Sequence, residues 1–256
     1  MEYFFIAAVA LIVSGLSLFS GFGLGTLLMP AMAIYFPIEI AITATAVVHL
    51  TNNIFKVALF GKHRQNRILL KFGLPAMALA FVGAWILTQL SDLEPLYSYS
   101  WLGKEMTVEA VKLVVSVLIL GFAMLDLLPR FRELKFASKY LPLGGAISGL
   151  MGGISGHQGA LRSAFLANAG LTKEQFIGTG VTIACLVDVA RLVIYSSHTA
   201  GMKIENIPLI VTGCIAAFLG AFIGKRLVEK VTMEQIQKLV AVMLIILSIG
   251  LGSGVI

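Results

Sequence analysis

Between residues 153 and 163 the chain reads Gly153-Ile154-Ser155-Gly156-His157-Gln158-Gly159-Ala160-Leu161-Arg162-Ser163. A glycine-rich turn that leads into a short helix presents the first N–H groups of that helix. These have no partner within the helix, and they carry the positive end of its dipole. Such an end is an anion-binding device. Ser155, Gly156, His157 and Gln158 supply further donors in the turn. Arg162, four residues after Gln158, comes back to the same helical face. A guanidinium fork suits planar or tetrahedral oxyanions. The competing reading is a close-packing turn in which Arg162 binds a backbone carbonyl or Asp188.

A second glycine cluster, Gly21-Phe22-Gly23-Leu24-Gly25-Thr26, offers main-chain donors at Gly23 and Gly25 and the Thr26 hydroxyl, but no charge. Two polar stripes accompany the clusters. Thr45, His49, Asn52, Asn53 and Lys56 recur in steps of three and four, which puts them on one helical face, and Thr179, Thr182, Cys185, Asp188 and Arg191 follow one another in steps of three. Asn52 and Asn53 join the expected substrate-binding set. His49, Lys56, Asp188 and Arg191 are candidates for ion coupling or gating, with His49 or Asp188 taking up a proton. Asp188 and Arg191 also suit a mutually neutralising i, i+3 pair. Lys112 and Asp126 lie near segment ends, where snorkelling explains them.

The elements that carry these residues are apolar. Hydrophobic residues make up 58% of the 256 and charged residues 12%. A soluble domain has roughly 45–50% and about 25%. With mean hydropathy +0.94, the composition excludes a soluble domain, a disordered chain and a secreted disulfide scaffold. Cys185 and Cys214 lie in apolar runs without CxxC spacing and read as small hydrophobes. No pattern calls for a cofactor or a metal. The first 20 residues lack a basic start and read as a retained membrane segment.

A bilayer core needs about 20 apolar residues per helix. Apolar runs fall at 3–20, 24–36, 40–60, 68–90, 107–128, 141–155, 159–169, 175–197, 204–224 and 235–255. The runs 24–36 and 159–169 are too short to cross comfortably, and each follows a glycine break. Displacing the sequence by 134 positions lays Gly25 on Gly159, Leu27 on Leu161 and Thr45 on Thr179, with Pro75 near Pro208 and Gly83 near Gly220. The expected fold is therefore an all-α integral membrane protein of two inverted repeats, 1–128 and 140–256, joined by a linker at 129–139. Each repeat has five hydrophobic segments, and the glycine-broken hairpins of segments 1/2 and 6/7 meet near the midplane.

Loops 61–71, 129–140 and 225–234 are basic, while 91–105 and 197–205 are not. The positive-inside rule puts the basic set in the cytoplasm, which explains the net charge of +6 without nucleic acid as a partner. Opposite orientation of the halves follows from five segments apiece. Inverted repeats with broken short helices at matching positions point to a secondary transporter.

Taken in order, Gly-Phe-Gly-Leu-Gly-Thr-Leu-Leu-Met-Pro at 21–30, Ala-Thr-Ala at 44–46, the basic loop 61–71 and the return of this plan after Gly153 resemble the sulfite exporter TauE/SafE family of bacterial membrane transporters. The likeness covers nearly the whole chain. It implies a multi-pass inner-membrane transporter, not an enzyme, for small sulfur-containing anions of the sulfite, sulfonate or sulfoacetate type, its partners being that anion and the lipid bilayer. His157-Gln158 and Arg162-Ser163 stand where the family has a denser glycine run and a proline. Two other readings remain: a passive anion channel with the same site, and an intramembrane serine protease, because Gly153-Ile154-Ser155-Gly156 fits a GxSG pattern that needs a histidine base nearby.

Overall fold

The computed structural model describes residues 1–20, 24–101, 103–127, 136–198, 207–227 and 233–255. Side chains are described throughout except at 16–20, 26, 27, 125, 126, 198, 224–227 and 233–240. The glycines Gly21 and Gly23, most of loops 129–140 and 197–205 and half of loop 225–234 lie outside the described residues.

The expected apolar runs are helices. They are α1 (Glu2–Ser20), α2 (Gly25–Ala33), α3 (Ile38–Phe60), α4 (Asn66–Ser91), α5 (Ala110–Leu127), α6 (Leu141–Ser155), α7 (Gly159–Leu166), α8 (Lys173–His198), α9 (Ile207–Leu227) and α10 (Met233–Gly252). Three of the described helical stretches, Ile38–His63, Asn66–Ser91 and Lys173–Ser197, are long and apolar enough to cross a membrane, with shorter apolar helices beside them. The exposed side chains include Trp85, Val117, Phe222 and Ile246. A helix surface this apolar calls for lipid as its solvent.

Local chemistry sets the helix limits. Pro37 precedes α3 and Pro142 sits in the first turn of α6, where a missing N–H is harmless. A capping box opens α8: Thr172 Oγ1 accepts from the Gln175 amide at 3.3 Å, and Gln175 Oε1 accepts from the Thr172 amide at 3.1 Å. A π turn at Leu69–Gly73 precedes Pro75, whose ring crowds the carbonyl one turn back and which donates no bond.

One element departs from the all-α expectation. Residues Tyr97–Trp101 (β1) and Lys104–Val108 (β2) pair antiparallel. The run expected at 107–128 thus begins inside a strand, because Thr107 and Val108 complete a ladder that the alternating Tyr-Ser-Tyr-Ser-Trp sequence starts.

Helix packing is reciprocal. α1 packs on α9 and α4 on α6, while α3 packs on α8 and α5 on α10. The α4–α6 contact is close. Gly149 and Gly153 of α6 lie directly against the backbone at Ala76, Ala80 and Ala84 of α4, so any side chain there would push the helices apart. The larger apolar core gathers α1, α2, α3, α5, α9 and α10. A second, around Phe72, Phe165 and Ile183, joins α4, α7 and α8.

Candidate functional site

The two polar stripes face each other. Thr45, His49, Asn52, Asn53 and Lys56 of α3 are all buried, as are Thr179, Asp188 and Arg191 of α8. His49 Nδ1 lies 2.6 Å from Asp188 Oδ2. Arg191 donates to Asp188 Oδ1 from Nε at 3.0 Å and from Nη2 at 2.7 Å. The Asn53 amide nitrogen donates to Asp188 Oδ2 at 3.4 Å and sits 3.1 Å from His49 Nδ1. A carboxylate held by a guanidinium fork is an acceptor only, so the imidazole hydrogen belongs on Nδ1. Asp188 and Arg191 do form the neutralising pair that their spacing allows, and His49 joins it from the other helix.

The glycine break of α6 and α7 rests on the same stripe. Gly156 has φ +77°, and a Cβ there would stand 2.8 Å from Arg191 Nη1, so both the left-handed backbone and the contact demand glycine. The Tyr195 hydroxyl donates to the Gly153 carbonyl, satisfying an acceptor at the end of α6 that has no helical donor. Tyr195 also lines a cavity of about 100 Å3 with Glu39, Thr43, Thr88 and Ser91.

Inside the turn, Ser155 Oγ donates to the Met151 carbonyl at 3.1 Å, and the His157 ring donates from Nδ1 to the Ser155 carbonyl at 2.8 Å. The ring stacks on Phe122 with centroids 6.1 Å apart. Ser148 Oγ donates to the Gln158 carbonyl at 3.2 Å. Ser155 and His157 thus hold the turn in shape. The ring contact to Ser155 is with its carbonyl.

Several polar atoms beside the break have no hydrogen-bond partner among the described residues: both amide atoms of Gln158, Arg162 Nη1, Thr45 Oγ1 and Asn52 Nδ2. Gln158 is 2% exposed and Arg162 9%. Asn52 Oδ1 is engaged, accepting from Ser14 Oγ at 3.2 Å. Neither α2 nor α7 has a side-chain cap at its start. The two starts are neighbours, since a Cβ on Gly25 would lie 3.7 Å from the Gly156 carbonyl and 3.6 Å from Thr45 Cγ2. Arg162 lies against Gly180 of α8, 3.6 Å from its would-be Cβ. The buried charges among the described residues are Lys56, Arg162 and Arg191 against Asp188.

Of the residues picked out from sequence, Gly25, Thr45, His49, Asn53, Gly156, Asp188 and Arg191 are linked by these contacts. Gly23 lies outside the described residues, as does the Thr26 side chain. Lys112 pairs with Glu109 at 3.0 Å near the start of α5, in keeping with its position at a segment end. Cys185 and Cys214 are free and half-buried, less enclosed than small core hydrophobes. Sequence reasoning missed Tyr195, Ser14 and Ser148. Tyr195 was visible in principle, since Asp188, Arg191 and Tyr195 lie at i, i+3 and i+7.

The sequence profile of the family described as sulfite exporter TauE/SafE matches residues 6–251, and the chain belongs to that family. No curated relative matches it. Members of the family are transporters of sulfur-containing anions and not enzymes, so the chain is a membrane-embedded transport protein acting on a small substrate.

Proposed function

We propose that this TauE/SafE-family chain is a secondary transporter that moves small sulfur-containing anions, of the sulfite, sulfonate or sulfoacetate type, across the inner membrane, coupled to protons. The observation that carries the reading is the buried Arg162 guanidinium and Gln158 amide, each with polar atoms that find no partner among the described residues, beside the starts of α7 and α2, which lack a side-chain cap. A buried donor without an acceptor costs about 1–3 kcal/mol, more when charged. An oxyanion bound there removes that cost and balances the excess of buried positive charge.

In this reading the substrate meets Arg162, Gln158, Asn52, Asn53, Thr45 and Thr26 together with the main chain at Gly23, Gly25 and Gly156. Ser155 and His157 keep the turn in the shape that aims these groups. His49 and Asp188 carry the coupling proton, with Lys56 and Arg191 setting their electrostatic surroundings. A proton arriving at the pair weakens the hold of Asp188 on Arg191, which itself abuts Gly156, so protonation and anion binding act on one turn. We read 1–128 and 140–256 as inverted repeats joined by 129–139. Exchanging each helix for the one five places along turns α1–α9 into α6–α4 and leaves the α3–α8 and α5–α10 pairs unchanged, which supports that reading. The basic loops 61–71, 129–140 and 225–234 then face the cytoplasm.

Flux through purified protein in liposomes tests the function. A carrier gives saturable sulfite or sulfoacetate uptake, counterflow exchange, and acceleration by an inward proton gradient. Unsaturable flux without counterflow would replace the carrier with a passive anion channel using the same site.

A further inference from the structure

Away from this site, the beginnings of α4, α6 and α8 surround a second cavity of about 410 Å3. Its lining includes Arg67 and Lys71 from α4, Ser138 before α6, and Gly170 and Gln175 around the start of α8. That volume is within the range of small-molecule sites, about 300–1,000 Å3, and generous for a small sulfur oxyanion. Arg67 and Lys71 are one turn apart on one face of α4, both exposed. Among the described residues neither makes an ion pair. The nearby Glu174 is turned to Thr172, whose hydroxyl donates to Glu174 Oε2 at 3.1 Å. Among the described residues, two cations therefore line one polar cavity with no carboxylate in its lining.

What lies beside the cavity says where its ligand comes from. Leu70 and Leu74 of α4, and Tyr140 and Leu143 at the start of α6, are exposed, all within a turn of the lining residues. In a membrane-embedded chain these face acyl chains. The cavity thus opens where headgroups meet hydrocarbon, at the end of the molecule that carries the basic loop. Basic pockets between helices at that level recognise anionic headgroups.

We propose that this cavity binds a phosphate-type oxyanion carried by an anionic membrane lipid. Arg67 and Lys71 meet the phosphate oxygens, the polar lining around Gly170 takes the rest of the headgroup, and the acyl chains lie along Leu70, Leu74 and Leu143. The site shares no residue with the transport site and does not depend on the transported substrate.

The test is the thermal midpoint of the purified full chain in phosphatidylcholine bilayers with and without phosphatidylglycerol. Phosphatidylglycerol is expected to raise the midpoint by roughly 2–4 °C. Arg67→Gln/Lys71→Gln is expected to lose most of that rise, and Arg67→Lys/Lys71→Arg to keep it. Lys62→Gln/Arg64→Gln removes two basic residues of the same loop that do not line the cavity, and is expected to keep the rise as well. An equal loss in both glutamine pairs would mean general surface charge and would overturn the proposal, as would no rise in the unaltered chain. Inorganic phosphate in phosphatidylcholine is the remaining arm. If it alone reproduces the rise, and Arg67→Gln/Lys71→Gln abolishes it, the oxyanion site stands with a free ion as its source.

Discussion

His49 Nδ1 lies 2.6 Å from Asp188 Oδ2 and joins residues 139 positions apart, one from the middle of α3 and one from the middle of α8. The contact ties the two halves of the chain together at a buried charge that also holds Arg191. In the proposed coupling, structure and proton chemistry share these atoms, and paired substitutions can separate them. Asp188→Asn leaves the Arg191 guanidinium buried without its counter-charge and is expected to destabilise the protein by about 3–5 kcal/mol. Asp188→Leu with Arg191→Met removes both charges and is expected to recover much of that loss in thermal unfolding. Transport should not recover with it. Full transport in the stable double variant would mean that the network is structural only.

Proton coupling has its own signature at His49. His49→Gln keeps a hydrogen-bonding side chain but titrates nowhere near neutral pH. In liposomes the variant is expected to retain counterflow of substrate and to lose its response to a pH gradient. A gradient response equal to that of the unaltered chain would remove His49 from the coupling step.

Anion affinity is expected to fall when its donors are cut back. Arg162→Ala or Gln158→Ala should each weaken sulfite or sulfoacetate binding by about 1.5–3 kcal/mol, or roughly 10- to 150-fold in Kd. Ligand-dependent thermal shifts across sulfite, sulfoacetate, thiosulfate, sulfate and carboxylates measure this and rank the substrates. Unchanged affinity in a folded Arg162→Ala variant would move the site elsewhere.

Gly156 and Gly170 allow a matched comparison. Both have positive φ, +77° and +70°, yet a Cβ on Gly156 would press on Arg191 Nη1 at 2.8 Å, while a Cβ on Gly170 would meet nothing within 4 Å. Gly170→Ala is expected to cost only the backbone strain, about 1–2 kcal/mol. Gly156→Ala should cost more in thermal unfolding and also slow transport, because Arg191 must move.

Much of this was legible from residues alone. Apolar runs set the helices because lipid tolerates little else, and α7 was marked as short by the glycines before it and the polar residues after it. The α3 and α8 stripes were legible as three- and four-residue steps. Their mutual contact was not, because pairing over 139 positions depends on how the bundle closes. Tyr195 was passed over because an aromatic in an apolar run looks like packing until its hydroxyl finds the Gly153 carbonyl. The β1–β2 hairpin carried a period-two pattern in Tyr-Ser-Tyr-Ser-Trp that was too short to stand out against the neighbouring spans.

Side-chain-free contact between α4 and α6, together with the matching embrace of α1 by α9, has a bearing on how the molecule is made. Each partner in these tight seams comes from the opposite side of the 129–139 connection, so each portion carries helix faces that only the other covers. Expressed as two fragments cut at that connection, they are expected to survive in the membrane together and to be degraded apart, the second-synthesised completing the first.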